Sequence, residues 1–160
     1  MGWTPRFFDA SFTVFFQVNE VTPDLLGLDR GIPTSFYAVK FHLKAHRHSD
    51  FKYNLMTGLY EARQCIRTCM AIMEEVARSD SRASFGFIGA NQMNEPEENT
   101  KRFRVYRRFM LTCFGNDEYV HKYNISKSAY MLINRKELAE HPGLLDEIVK
   151  GFSELYPYFE

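Results

Sequence analysis

Cysteine is scarce in this sequence, with three residues in a chain of 160. A small secreted protein held together by disulfides carries a dense and even set of cysteines, so an odd three argues against such a framework and for a reducing compartment. No apolar run is long enough to cross a bilayer, and the first residues, MGWTPRFF, lack the apolar segment of a secretory signal. We therefore expect a cytoplasmic protein with no membrane partner.

Net charge is also absent, because 20 basic residues balance 20 acidic ones. The molecule as a whole has no electrostatic attraction to nucleic acid or to a membrane, so either role requires a local patch. Aromatic residues are abundant instead, with 15 Phe and 9 Tyr, which can fill a core, line a ligand groove or form a partner interface. The length fits one domain over residues 1–160.

The first half of the chain predicts two strands and a long helix. Residues 7–18 are rich in aromatic and β-branched side chains, and residues 35–45 alternate between an apolar and an increasingly polar face. We expect these two strands to form an antiparallel hairpin across the Pro- and Gly-containing connection 19–33. Apolar positions spaced by four and three then predict an amphipathic helix over residues 52–78.

The second half predicts a buried strand, a basic helix, a strand pair and a last helix. Residues 84–90 form a short and nearly uncharged run, which is typical of a central strand. Asn94, Pro96 and Glu97 predict a capped helix start, and the helix runs to about residue 114. Two strand-like pieces within 119–134 meet at Ser126 and Lys127, and residues 144–155 have helical apolar spacing. The predicted class is α/β (α+β), with a mixed, mainly antiparallel sheet flanked by helices.

Asn99 and Tyr106, seven positions apart in NTKRFRVY, carry a family resemblance. A short apolar strand, a loop, an Asn, a helix with a Tyr seven residues later and a following Gly resemble the end of the GNAT fold of acyl-CoA N-acyltransferases. The resemblance covers roughly residues 35–134, and it implies a shortened form of that fold. The residues alone, without the family resemblance, support a purely structural alternative. Asn99 would then be a helix cap or first-turn residue, and Tyr106 would be a core aromatic beside Phe103 and Met110.

The resemblance implies that acetyl-CoA or another acyl-CoA binds in a splay between the strands at 37–43 and 85–88. Tyr106 would be the general acid, since a phenol can protonate a leaving thiolate of lower pKa, and Asn99 would belong to the cofactor site. The family's phosphate-binding motif aligns best with Tyr53 to Gly58, of which only Gly58 keeps the small residue, and Met56 stands where glycine is expected. The acceptor would be a small-molecule or protein amine, and Glu20, His42 and His121 are candidates for the base by residue type alone.

A different class of function also fits the composition. A non-catalytic interaction or regulatory protein would keep the scaffold and use aromatic surface to bind a partner or a second copy of itself, as a homo-oligomer. Five basic residues lie on the second helix, namely Lys101, Arg102, Arg104, Arg107 and Arg108, and would serve nucleic-acid binding in a third reading. The acidic residues just before them, Glu95, Glu97 and Glu98, favour a solvated charged face over a nucleic-acid partner.

We expect no metal site and no cysteine nucleophile. His42, His46 and His48 lie at a strand end and in a turn, so they do not form a helical i, i+4 ligand pair. Cys65 and Cys69 lie on or beside the apolar stripe of the first helix, where a free cysteine is usually a small buried hydrophobe. Cys113 lies near the C-terminal end of its helix, which does not lower a thiol pKa.

Overall fold

The structure, a computed structural model, describes residues 14–21, 35–43, 48–50, 62–92 and 94–155, and the side chains of 35–38, 48–50, 64–92 and 94–150. The described strands are β1 (Val14–Val21), β2 (Phe36–Leu43), β3 (Ser84–Ile88), β4 (Tyr119–Asn124) and β5 (Ala129–Asn134). The described helices are α1 (Ala62–Ser79), α2 (Lys101–Cys113), α3 (Arg135–Glu140) and α4 (Leu144–Leu155). None of these helices is long and apolar enough to cross a membrane.

The described strands form one sheet in the order β1-β2-β3-β5-β4. β1 and β2 are antiparallel, as predicted, with a register that runs from Val14 opposite Leu43 to Val21 opposite Phe36. β2 and β3 are the one parallel pair in this sheet, and β5 is antiparallel to both β3 and β4. The predicted mixed and mainly antiparallel sheet is confirmed.

The end of β1 differs from the prediction, which placed residues 19–33 in a connection. The strand continues through Asn19 and Glu20 because both are paired with β2, opposite Ala38 and Tyr37. Asn has a low strand propensity, but a ladder partner overrides such a local preference. The part of the predicted first strand before residue 14 lies outside the described residues, as does the part of the predicted helix before residue 62.

Helices cover both faces of the sheet, and for this reason all six residues of β5 are buried. Successive strand residues point to opposite faces. Tyr130 and Leu132 belong to the core that includes α1 and α2, whereas Met131 and Ile133 pack with Leu144 and Ile148 of α4. β3 lies at the centre of the sheet, as its uncharged sequence predicted.

The α1 periodicity is confirmed for the described part of the helix. Ile66, Cys69 and Met73 of the predicted stripe are buried, and Val76 is partly buried. The buried surface is wider than the stripe, since it also includes Cys65, Met70, Ile72 and Thr68. The opposite side is otherwise exposed, and Arg78 pairs there with Glu75 at 2.8 Å.

α3 was not predicted. Its six residues begin after Asn134, whose side-chain oxygen accepts a hydrogen bond from the Lys136 N–H at 3.0 Å. Glu137 of this helix is fully buried and pairs with Arg82 in the turn before β3, and Arg82 also pairs with the exposed Glu140. The second carboxylate oxygen of Glu137 is buried without a hydrogen-bond partner. The pair joins two segments that are 55 positions apart in the chain.

Candidate functional site

The parallel ladder between β2 and β3 is short, and its end marks the candidate site. Over the described strands the register runs from Phe36 opposite Ser84 to Ala38 opposite Gly86, although β2 continues to Leu43 and β3 to Ile88. Past this point β2 remains paired with β1, and β3 remains paired with β5. The two strands therefore part toward their carboxyl ends, which is the edge where open α/β sheets bind ligands.

Tyr106 lies at this parting point. Its ring meets the ring of Phe87 edge to face, with centroids 4.9 Å apart and planes at 86°. Phe87 is the first β3 residue beyond the last β2–β3 pair. Tyr106 is also packed against the core of α1 and α2, as its place beside Phe103 and Met110 predicted.

The chemistry of Tyr106 is set by this burial. Desolvation raises the pKa of the phenol well above its ordinary value of 10, and the nearby thiols of Cys69 and Cys65 act in the same direction, whereas Arg102 opposes them. The phenol therefore stays protonated throughout the physiological range. Complete proton transfer to a thiolate of pKa about 8.5 becomes more uphill, so a hydrogen-bond donor is the role that this environment favours.

Asn99 is neither the helix cap nor a first-turn residue, so both structural readings of it were wrong. It is exposed, and its backbone is left-handed, with a φ of 50°. Its N–H donates to the Ile125 carbonyl at 2.9 Å, and its own carbonyl accepts from Arg104 at 2.8 Å. Asn tolerates this conformation better than most residues, which gives a local reason for its presence.

Thr100 is the residue that caps α2. Its hydroxyl accepts from the Phe103 N–H at 3.1 Å and donates to the Gly89 carbonyl at 2.6 Å. Its N–H donates to the Ser128 hydroxyl at 2.9 Å. The predicted start at Asn94, Pro96 and Glu97 was wrong, because the helix begins after Thr100, which is hydrogen-bonded to Gly89 just after β3 and to Ser128 in the turn before β5.

Glu95 also helps to fix the junction between the end of β3 and the start of α2. Its carboxylate accepts from the Gln92 N–H at 2.9 Å and from the Lys101 N–H at 2.8 Å. These two backbone hydrogen bonds are the main reason why the pKa of Glu95 is lowered, with Lys101 and Arg104 adding to the effect. The first amides of α2 are thus largely bonded to side chains of the protein.

Gly89 allows the end of β3 to approach the start of α2 closely, because glycine has no side chain. A Cβ at this position would lie 2.6 Å from the Phe103 nitrogen and 2.7 Å from its Cα. The start of α2 therefore rests directly on the end of β3, which fixes where Tyr106, three residues further on, meets Phe87. Sequence reasoning placed Gly89 in the strand and missed this contact, although an isolated glycine at a strand end is a known signal of close backbone approach.

The other residues predicted for the cofactor site, Tyr53 and Gly58, lie outside the described residues. Glu20 and His42 lie on β1 and β2, where the structure describes the backbone and not their side chains.

His121, the third base candidate, lies on β4. Two strand spacings separate β4 from β3, roughly 10 Å. Its Nδ1 is 2.5 Å from the Tyr130 hydroxyl, and its Nε2 is 3.1 Å from the Phe114 carbonyl. Both nitrogens are thus engaged on the far side of β5 from the strand gap, which is a poor position for direct removal of a proton there.

The basic side of α2 is largely solvated. Lys101, Arg104 and Arg108 are exposed, and Arg107 is half-buried with its guanidinium 4.0 Å from the ring centre of Tyr123. Glu95 lies close enough to Lys101 and Arg104 for their positive charges to lower its pKa, so part of the basic charge is balanced locally. Arg107 covers one face of the Tyr123 ring, so that face is not available for stacking on a nucleic-acid base.

The cysteines and metal-binding side chains add no second site within the described part of the chain. No group of three His, Cys, Asp or Glu residues there is arranged to hold a metal ion. Cys65 and Cys69 are buried, and desolvation raises the pKa of the Cys69 thiol, so it is a poor nucleophile. Cys113 is exposed and ends α2, and desolvation, followed by Glu74, raises its pKa also.

The chain matches no protein-family model, no curated protein sequence and no solved structure.

Proposed function

We propose that this protein is a GNAT-like, acyl-CoA-dependent N-acyltransferase whose site is the gap between β2 and β3. The observation that carries the proposal is the position of Tyr106, whose ring contacts the first β3 residue beyond the end of the parallel ladder. The order of elements around the gap supports it: an antiparallel strand pair, a helix, a parallel strand, a second helix and the β4–β5 hairpin, which α3 and α4 follow.

The gap suits an extended ligand that carries amide groups. Beyond Ala38 and Gly86, β2 and β3 no longer pair with each other, so their facing edges leave backbone donors and acceptors for another partner. The pantetheine arm of an acyl-CoA has such amides along a narrow chain. Phe87 and Tyr106 supply an apolar and aromatic wall at the same level of the strand.

In the proposed reaction the protein contributes a hydrogen bond to the leaving group. When bound, acyl-CoA would supply an activated acyl group: the amine nitrogen forms the new C–N bond, the C–S bond breaks, CoA leaves as its thiolate, and the nitrogen loses a proton to solvent. Tyr106, kept protonated by burial, would donate a hydrogen bond to that sulfur as negative charge develops on it. The close packing of β3, Gly89 and Phe103 holds the Tyr106 ring in place for this contact.

Acetyl-CoA binding should be measurable as an increase in Tm. At about ten times its Kd, a ligand that binds the folded state alone stabilises it by about 1.4 kcal/mol, which is about 3–5 °C for a chain of this size. Differential scanning fluorimetry with acetyl-CoA, and with ADP as a control for nucleotide binding alone, gives the measurement. No shift with millimolar acetyl-CoA would overturn the proposal and leave the non-catalytic reading, for which light scattering tests self-association.

Tyr106→Phe should lower turnover about tenfold while acetyl-CoA binding is retained. The substitution keeps the ring that packs on Phe87 and removes only the hydroxyl, and a hydrogen bond to an atom that develops charge contributes about 1.5 kcal/mol, or a factor of roughly ten. A panel of amines would be assayed for acylated product by mass spectrometry. Released CoA can be followed with a thiol reagent only in a Cys113→Ser background, because Cys113 is exposed. Full activity in Tyr106→Phe would contradict the role assigned to the hydroxyl.

A further inference from the structure

Two ring contacts and one hydrogen bond connect His121 on β4 to Tyr106 on α2. The Tyr130 hydroxyl is 2.5 Å from His121 Nδ1. The Tyr130 ring is stacked on Phe87, with centroids 5.3 Å apart and planes within 7°. Phe87 in turn meets Tyr106 edge to face at 4.9 Å. The four side chains thus form a continuous series across three strands and a helix.

The tautomer of His121 follows from its partners. The Phe114 carbonyl can only accept, so Nε2 carries the proton and donates to it over 3.1 Å. Nδ1 of the neutral ring is then an acceptor, and the Tyr130 hydroxyl donates to it. This arrangement fixes the direction of the Tyr130 hydroxyl and also joins the end of α2 to β4.

From this series we infer that His121 is a positioning residue for Tyr106, which acts through Tyr130 and Phe87 and does not touch the reacting atoms. The inference rests on the proposed function for its catalytic meaning, whereas the coupling between the rings is a property of the fold. Tyr130 is almost fully buried, so a change in its hydrogen bond shifts a ring that has little free space around it. Phe87 contacts both tyrosines and passes that shift to Tyr106.

Protonation of His121 is the natural way to perturb the series. Desolvation lowers the pKa of His121 below its ordinary value of 6.5, and Arg135 adds to this, whereas the Phe114 carbonyl opposes it. Arg107 and Tyr123 are the other groups that act on Tyr130. The neutral ring is therefore the folded form above pH 6.5. As the pH falls through the folded-state pKa, Nδ1 becomes a donor, Tyr130 loses its acceptor, and the stability contributed by neutral His121 is lost.

The coupling can be measured without any assay of activity. A single 3-fluorotyrosine at position 106 gives one fluorine signal, which is followed from pH 7.5 to pH 5. We expect a shift with its midpoint below pH 6.5 that disappears in His121→Gln, whose amide can replace both hydrogen bonds of the neutral ring. Phe87→Leu should also abolish the shift, because it removes the ring that joins Tyr130 to Tyr106.

A second variant covers the case in which His121→Gln does not fold. Tyr130→Phe leaves His121 free to titrate and keeps the ring stack, but it removes the hydroxyl, so the Tyr106 signal should again become insensitive to pH in this range. A shift that persists in His121→Gln or in Tyr130→Phe would overturn the inference, because another titrating group would then be its source.

Activity gives a separate readout. If the enzyme acetylates an amine, kcat should fall about threefold in His121→Leu, which removes both hydrogen bonds, with KM for acetyl-CoA unchanged, since only the position of the hydrogen-bond donor is altered. His121→Gln, which keeps both hydrogen bonds, should retain the parent kcat. A protein that shows the fluorine coupling but binds no acetyl-CoA would contradict the proposed function and leave the coupling intact. A protein that is active without the coupling would contradict only the role of His121.

Discussion

Arg82→Met should lower the Tm by roughly 10 °C, because it leaves the fully buried carboxylate of Glu137 without a counter-charge. One oxygen of this carboxylate already lacks a hydrogen-bond partner, so the guanidinium of Arg82 is its main compensation. A buried charge that loses its partner is among the most destabilising single changes in a folded protein. Thermal unfolding followed by circular dichroism measures the effect.

Two control variants separate the buried pair from the exposed one. Glu140 also pairs with Arg82, but its side chain is 57% exposed, so Glu140→Gln should change the Tm by no more than a few degrees. The double variant Arg82→Met, Glu137→Leu removes the buried carboxylate together with its partly exposed partner and should recover most of the loss. Equal losses in Arg82→Met and Glu140→Gln would show that burial of Glu137 is not the cause.

Gly89→Ala should lower the free energy of unfolding by about 3 kcal/mol, the upper part of the range for overpacked sites. The added methyl group would lie under 3 Å from the backbone of Phe103, which is fully buried and bonded to Thr100. Backbone held in this way cannot turn aside as a long side chain can, so the start of α2 must move away from β3. Urea unfolding gives the free energy, and a thermal scan gives the accompanying change in Tm.

Gly115→Ala is the matched control for this substitution. The nearest atom to a Cβ at position 115 is the Asp117 nitrogen at 3.9 Å, which is ordinary van der Waals contact. We expect its free energy of unfolding to stay within about 0.5 kcal/mol of the parent protein. If both alanine variants were equally stable, the contact between Gly89 and Phe103 would not be the constraint that we describe.

The elements that the sequence predicted well are those with a strong local pattern. α1 has an apolar stripe whose described part is buried as expected, and β3 has the uncharged composition of a central strand. α3 has neither kind of pattern, since its six residues are too few to show a period. Its burial depends on Arg82, which lies 55 positions before Glu137, and no local signal reports such a pairing.

In the candidate site too, some contacts were predicted from the sequence and others were not. The resemblance implied that Tyr106 would lie on a helix beside the central strand, and the apolar spacing predicted its packing with Phe103 and Met110. Its contact with Phe87, and the stacking of Phe87 on Tyr130, depend on the register between β3 and β5, which the sequence did not reveal. The predicted cap of α2 was wrong for a similar reason. The residue that caps the helix, Thr100, is held by a hydrogen bond to Ser128, which lies 28 positions away in the chain.

The short ladder between β2 and β3 also has a consequence for the order of folding. Its first pair, Phe36 and Ser84, closes a loop of 48 positions (84 minus 36), whereas β4 and β5 meet across the four-residue turn between Asn124 and Ala129. Closing a long loop costs more chain entropy, and here only a few ladder pairs offset that cost. The β4–β5 hairpin should therefore form early. The pairing between β2 and β3 should be among the last in the sheet to form and the first to open.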